Sequence, residues 1–173
     1  MMQALPWCSP ACGISVIDMF RLSLTALLIF LIDQASKYWI VEAMDLKNVG
    51  AIEVYPPFLN LRMAWNQGIN FGIFDFGDNG RWVLIAISLV IVGFLIFWAR
   101  RVGGVLVPVA AGVVVGGALG NVYDRVIYGA VADFLNMSCC GFNNPFAFNV
   151  ADVAIFAGAG VLILFGDEKK KDG

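Results

Sequence analysis

Hydrophobic and polar positions divide this chain into four long apolar runs separated by polar intervals. The first run covers about residues 14–40, and its uncharged centre extends from Leu22 to Ile32. The second, 82–99, holds eighteen residues without a charge and ends at Arg100-Arg101. The third, 102–123, is uncharged over twenty-two residues, and the fourth covers about 148–166. A helix needs ~20 apolar residues to cross a hydrocarbon core of ~30 Å. The pattern therefore predicts an α-helical membrane protein with four transmembrane helices in a single membrane domain.

The interval 41–81 reads differently. From Asn60 to Asn66 polar or small residues alternate with apolar ones, the period of a β-strand. Pro56-Pro57 just before it marks a turn. The reading is a small extracytoplasmic β-sheet between the first two spans, a cradle on the membrane surface. A glycine-, amide- and aromatic-rich loop, Asn66–Phe74, follows and dips into the interface. Residues 124–147 read as a second loop on the same side, and residues 1–13 as a tail.

Composition supports the membrane reading and narrows the chemistry. The chain has 173 residues, 60% hydrophobic and 14% charged, with mean hydropathy +0.82. A soluble domain carries about 25% charged residues. The net charge of −2 and the lack of a basic, aromatic-interleaved patch point to no nucleic-acid partner. There is no histidine, which excludes Ser-His-Asp and Cys-His catalysis and most zinc sites. Cys8, Cys12, Cys139 and Cys140 lack the spacing of a structural zinc site and read as inert small residues. No metal and no cofactor are expected.

With four spans both termini lie on one side. Arg21, Arg100, Arg101 and Lys169–Lys171 then face Lys37, Lys47, Arg62, Arg81 and Arg125 across the membrane. The first group sits in short tails and a tight loop, so the positive-inside rule puts the termini in the cytoplasm.

Carboxylates at membrane depth are costly and mark functional sites. Asp33 and Lys37 are four apart on one face of the first span, acid first, which suits an ion pair. Asp124, Asp133 and Asp152 stand at the edges of apolar runs. Asp133 and Asp152 occur in matching contexts, Val131-Ala132-Asp133 and Val150-Ala151-Asp152, at the end of one run and the start of the next. A returning loop would bring them face to face, where two carboxylates share a proton. One then activates water while the other polarises a carbonyl. Arg125 beside Asp124 reads as a helix-end ion pair or a group for a substrate carbonyl. Asn149, one helical turn before Asp152, is placed to orient its carboxylate. Asn66 offers a donor and an acceptor to an extended substrate backbone. Gly112, Gly116, Gly117 and Gly120 give the third span a small-residue face for close helix packing. A small transporter or proton relay is the rival reading of intramembrane acids, but no internal repeat accompanies them.

Five ordered blocks carry a family resemblance: Asp33-Gln34-Ala35-Ser36-Lys37, Asn66-Gln67-Gly68 with Phe71, Gly116–Asn121 with Asp124-Arg125, Val131–Phe134, and Phe148–Asp152. Together, over about residues 20–166, they resemble lipoprotein signal peptidase (signal peptidase II). The resemblance implies an aspartic endopeptidase of the bacterial inner membrane with its active site on the periplasmic side. It implies a diacylated prolipoprotein as substrate, cut before the lipidated cysteine, in contact with membrane lipid, by an enzyme expected to be a monomer. It maps catalysis onto Asp133 and Asp152. Site support falls on Asp33, Lys37, Asn66, Gly68, Asn121, Asp124, Arg125 and Asn149. Asn70 stands where the family more often has a small residue, and the tail with Cys8 and Cys12 has no counterpart.

Overall fold

The computed structural model describes residues 16–68, 79–102, 104–139 and 141–166. The tail with Cys8 and Cys12, the loop through Asn70 and Phe74, Cys140 and the C-terminal lysines lie outside the described residues. Four long helices dominate: α1 (Val16–Lys37), α3 (Gly80–Val102), α4 (Leu106–Ile127) and α5 (Val150–Phe165), with a short α2 (Leu46–Val49) between the first two. Three strands, β1 (Ala51–Tyr55), β2 (Leu59–Asn66) and β3 (Val131–Asn136), form one antiparallel sheet in that order.

Helix α4 is the centre, packed against α1, α3 and α5. Its glycines are the reason. A Cβ on Gly112 would stand 2.5 Å from the Leu22 carbonyl oxygen of α1, and one on Gly117 would stand 2.6 Å from the Ala151 carbonyl oxygen of α5. Backbone meets backbone there, as expected of small-residue helix faces. Contacts from Gly112 to Leu22, and from Gly120 to Asp33, show α1 and α4 running parallel.

Helices α3 and α4 are each long and apolar enough to cross a membrane, whereas α5 is apolar but has 16 residues. The outer surfaces are apolar too: Val90, Phe156 and Ile163 are 71%, 80% and 81% exposed. Apolar surface of that extent requires a lipid or protein neighbour.

The sheet caps the end of the bundle where α1 and α4 stop and α3 and α5 start. Residues 56–58 make the turn expected at Pro56-Pro57, and β2 occupies the alternating stretch. The third strand corrects the sequence reading. Residues 131–136 lie in the interval taken as loop, yet they form β3, buried along almost its whole length. A strand covered on both faces reads as a continuous apolar run rather than an alternation, so periodicity gives no signal for it. Val41, Leu46, Leu61, Ala132 and Phe134 form its core, with Phe134 fully buried. A six-residue π-helix, Tyr38–Ala43, carries the chain from α1 to α2 and contributes Val41 to that core. Nothing in the sequence announces it.

Candidate active site

The site is assembled where β3, the end of α4 and the start of α5 meet. Pairing of β2 with β3 sets Asn66 opposite Val131 and Ala64 opposite Asp133. Alternate residues share a sheet face, so Asn66 and Asp133 are diagonal neighbours. The Asn66 amide donates to Asp133 Oδ2 at 3.0 Å, and its own oxygen accepts the Gly68 N–H at 2.9 Å. Asn66 thus links Asp133 to the following turn. Gly68 adopts φ +99°, and a Cβ there would collide with the Leu84 side chain. This position requires glycine.

A returning loop joins β3 to α5. Phe148 and Leu135 exchange backbone hydrogen bonds of 2.8 and 3.0 Å, which pins the entry of α5 to β3. Asn136 reinforces it by donating to the Asn144 and Phe146 carbonyls at 2.8 and 2.7 Å. Asn149 is then the N-cap of α5, in a capping box with Asp152. Its oxygen accepts the Asp152 N–H at 2.9 Å, and its amide donates to Asp133 Oδ1 at 2.6 Å. The same amide donates to Asn121 Oδ1 at 3.2 Å, and the Asn121 amide donates to Asp152 Oδ1 at 2.9 Å. Asn149 and Asn121 therefore bridge the two carboxylates. Asp133 is 2% exposed and Asp152 half-buried. Burial raises the Asp133 carboxyl to about 6; the nearby Asp152 charge adds to the rise, and hydrogen bonds from Asn66 and Asn149 oppose it.

Behind this pair lies a second polar layer. Lys37 Nζ contacts Asp33 Oδ2 at 2.7 Å, the intrahelical pair expected, and also Asp124 Oδ2 at 2.8 Å. All three residues are buried. The cation for Asp124 is therefore Lys37 of α1 and not the adjacent Arg125. Arg125 lies in the last turn of α4, where its side chain points away from its sequence neighbour; its Nη1 donates to the Asn121 carbonyl at 3.2 Å. Its buried Nε has no hydrogen-bond partner among the described residues. Consecutive residues on a helix point about 100° apart, so adjacency in sequence does not make a pair.

Sequence reasoning missed Gln34, whose amide reaches Asp33 Oδ2 and Asp124 Oδ1, each at 3.1 Å. It also missed the Ala132 and Ala151 amides, which donate to Asp124 Oδ2 at 3.2 Å and Asp33 Oδ1 at 3.0 Å. The repeated Val-Ala-Asp context was the available signal for both. A cavity of about 250 Å³ opens beside Gln34, Lys37 and Ala132, on the side of this second layer. Neither Asp133 nor Asp152 lines it.

Comparison with known proteins decides the family. Residues 25–166 match the family model described as signal peptidase (SPase) II. The chain belongs to the signal peptidase II family. The lipoprotein signal peptidase of Methylorubrum extorquens (strain PA1) is 46% identical over 147 residues, 84% of this chain and 85% of that one. That of Methylobacterium radiotolerans is 42% identical over 156 residues, 89% of each. A solved bacterial membrane enzyme superposes with TM-score 0.74 at 27% identity, covering 91% of this chain and 97% of its own; a second gives 0.71 at 27%, covering 93% and 96%. Signal peptidase II enzymes are proteases that process lipoproteins, so the transporter reading is set aside.

Proposed function

We propose that Asp133 and Asp152 are the catalytic pair of an aspartic endopeptidase that removes the signal peptide from diacylglyceryl-modified prolipoproteins, cutting before the lipidated cysteine. The observation that carries this reading is the bridge through Asn149 and Asn121, which holds one carboxyl of β3 and one of α5 in a common, largely buried hydrogen-bond network. The shared proton sits on Asp133, the carboxyl that burial pushes up. Asp133 donates this proton to the oxygen of the scissile carbonyl. Asp152 takes a proton from water, and the water oxygen bonds to the carbonyl carbon. In the second half Asp152 returns its proton to the leaving amine, Asp133 recovers one from the diol, and the C–N bond breaks.

The four long helices are read as four spans, with the sheet and the site at the periplasmic face of the inner membrane and both termini in the cytoplasm. The apolar outer surfaces of α1, α3 and α5 support this arrangement, as does the position of Arg100-Arg101 in the last turn of α3, at the end opposite the site. The enzyme is read as a monomer working in contact with membrane lipid.

Asp133→Asn and Asp152→Asn test the pair. Each is nearly isosteric but cannot exchange the proton. With a diacylated prolipoprotein, each should fold and bind substrate yet lose nearly all turnover per folded molecule. Full turnover in either removes the mechanism. The unmodified precursor should be cut far more slowly than the diacylated one, since buried acyl carbon contributes ~0.8 kcal/mol per CH₂; equal rates would remove lipid recognition.

A further inference from the structure

Each carboxyl of the proposed pair is preceded by an alanine, and each alanine amide is held by a different buried carboxylate. The Ala151 N–H goes to Asp33 Oδ1 at 3.0 Å, and the Ala132 N–H goes to Asp124 Oδ2 at 3.2 Å. These two carboxylates are tied to each other. Lys37 Nζ sits 2.7 Å from Asp33 Oδ2 and 2.8 Å from Asp124 Oδ2. The Gln34 amide spans the same gap, 3.1 Å to Asp33 Oδ2 and 3.1 Å to Asp124 Oδ1. Every oxygen of both carboxylates is therefore engaged.

We propose that Lys37 and Gln34 are positioning residues that join Asp33 and Asp124 into one clamp, and that this clamp sets the spacing of Asp133 and Asp152 through the Ala132 and Ala151 amides. It rests on the assignment of catalysis to Asp133 and Asp152. The lever is short, because consecutive Cα atoms are about 3.8 Å apart across a planar peptide. A displaced alanine amide moves the next Cα with it. Ala132 and Ala151 are 2% and 0% exposed, so both amide–carboxylate hydrogen bonds are shielded from water. The matching Val-Ala-Asp contexts thus have a common cause: one strand and one helix start are fastened to the same ion group.

Stability alone is a weak reason for such a group. Two carboxylates and an ammonium taken out of water cost about as much as their attraction returns, and apolar replacements of equal volume are often as stable. Position is a stronger reason, since a misplacement of about 1 Å at a reacting group lowers rate on the order of 100-fold. The clamp also reaches the pair by a second route: Lys37 Nζ lies 3.4 Å from Asn121 Oδ1, and the Asn121 amide binds Asp152 Oδ1 at 2.9 Å.

Gly120 provides a test that leaves every charge in place. A Cβ there would stand 2.5 Å from Asp33 Oδ2, so Gly120→Ala pushes that carboxylate out of the clamp. Gly112→Ala is the control: its Cβ meets the Leu22 carbonyl oxygen, also at 2.5 Å, on the same helix but against the α1 backbone. Gln34→Met removes one strut and keeps the ion pairs. Purified full-length variants are assayed on a diacylated prolipoprotein, with kcat and KM per folded molecule. The clamp predicts that kcat falls on the order of 100-fold in Gly120→Ala and about 10-fold in Gln34→Met, with KM unchanged. Gly112→Ala should lose thermal stability but keep kcat. Should Gly120→Ala fail to fold, Gln34→Met decides. Wild-type kcat in Gln34→Met, an effect confined to KM, or an equal loss of kcat in Gly112→Ala overturns the clamp. If Asp133→Asn is inactive while Gln34→Met and Gly120→Ala keep wild-type kcat, only the clamp falls. An active Asp133→Asn removes the catalytic assignment itself.

Discussion

Replacing Asp133 by Asn should change how stability depends on pH, and the size of the change follows from the site. A carboxyl that titrates at 3.8 in the unfolded chain titrates at about 6 in the fold, chiefly because it is buried, with the Asp152 charge adding to the effect. The folded protein therefore binds this proton more tightly than the unfolded chain. The resulting stability is complete below about pH 4 and is lost as pH rises to 6; above that it stays lost. A gap of about two pH units at ~1.4 kcal/mol per unit makes the loss roughly 3 kcal/mol. Asn at this position carries no proton to lose. It has a fixed cost instead, because Asn66 and Asn149 both donate to Asp133 and an amide presents one oxygen where the carboxylate presents two. One donor pair then faces another, at about 1–3 kcal/mol independent of pH. The variant should be less stable than the wild type at pH 4.5 and should draw level or lead at pH 7.5. The assay is thermal or chemical unfolding of both proteins in the same detergent across this range, scored as the difference between them. Titrations elsewhere in the chain largely cancel in that difference. Asp152→Asn should flatten part of the wild-type slope by removing the neighbouring charge. Parallel curves for wild type and Asp133→Asn would refute the argument that burial holds this proton.

Asn149→Ala removes the N-cap of α5 and should cost about 1–2 kcal/mol in an unfolding experiment. Asn149→Asp keeps a capping acceptor but sets a third carboxylate against Asp133, so it should retain more stability than Asn149→Ala yet lose turnover; equal turnover to wild type would deny Asn149 its bridging role. Gly68→Ala forces a side chain into φ +99° and against Leu84. It should lower the melting temperature by the equivalent of about 1–2 kcal/mol, and Leu84→Ala in the same chain should restore only part of it. A reporter fused after Lys171 should read cytoplasmic and one inserted near Asp78 external; the reverse would put the site on the wrong face.

Some of this protein was written locally along the chain. The apolar runs predict α1, α3, α4 and α5 to within a few residues, because a helix surrounded by apolar material needs only length and hydrophobicity to be visible. The glycines of α4 predict close packing for the same local reason, as does the i,i+4 spacing for Asp33 and Lys37. The alternation at Asn60–Asn66 gives β2. What the chain could not reveal depends on partners far away in sequence. Strand β3 has no period of its own because both faces are covered, so only its pairing with β2 defines it. The mate of Asp124 comes from α1, 87 residues earlier, and only the parallel packing of α1 and α4 makes it Lys37 rather than Arg125. Gln34 and the two alanine amides acquire their importance the same way. A hydrogen bond between distant residues leaves no mark on either one's local sequence, so the layer behind Asp133 and Asp152 exists only once α1 has packed along α4 and β3 and the start of α5 have closed on them.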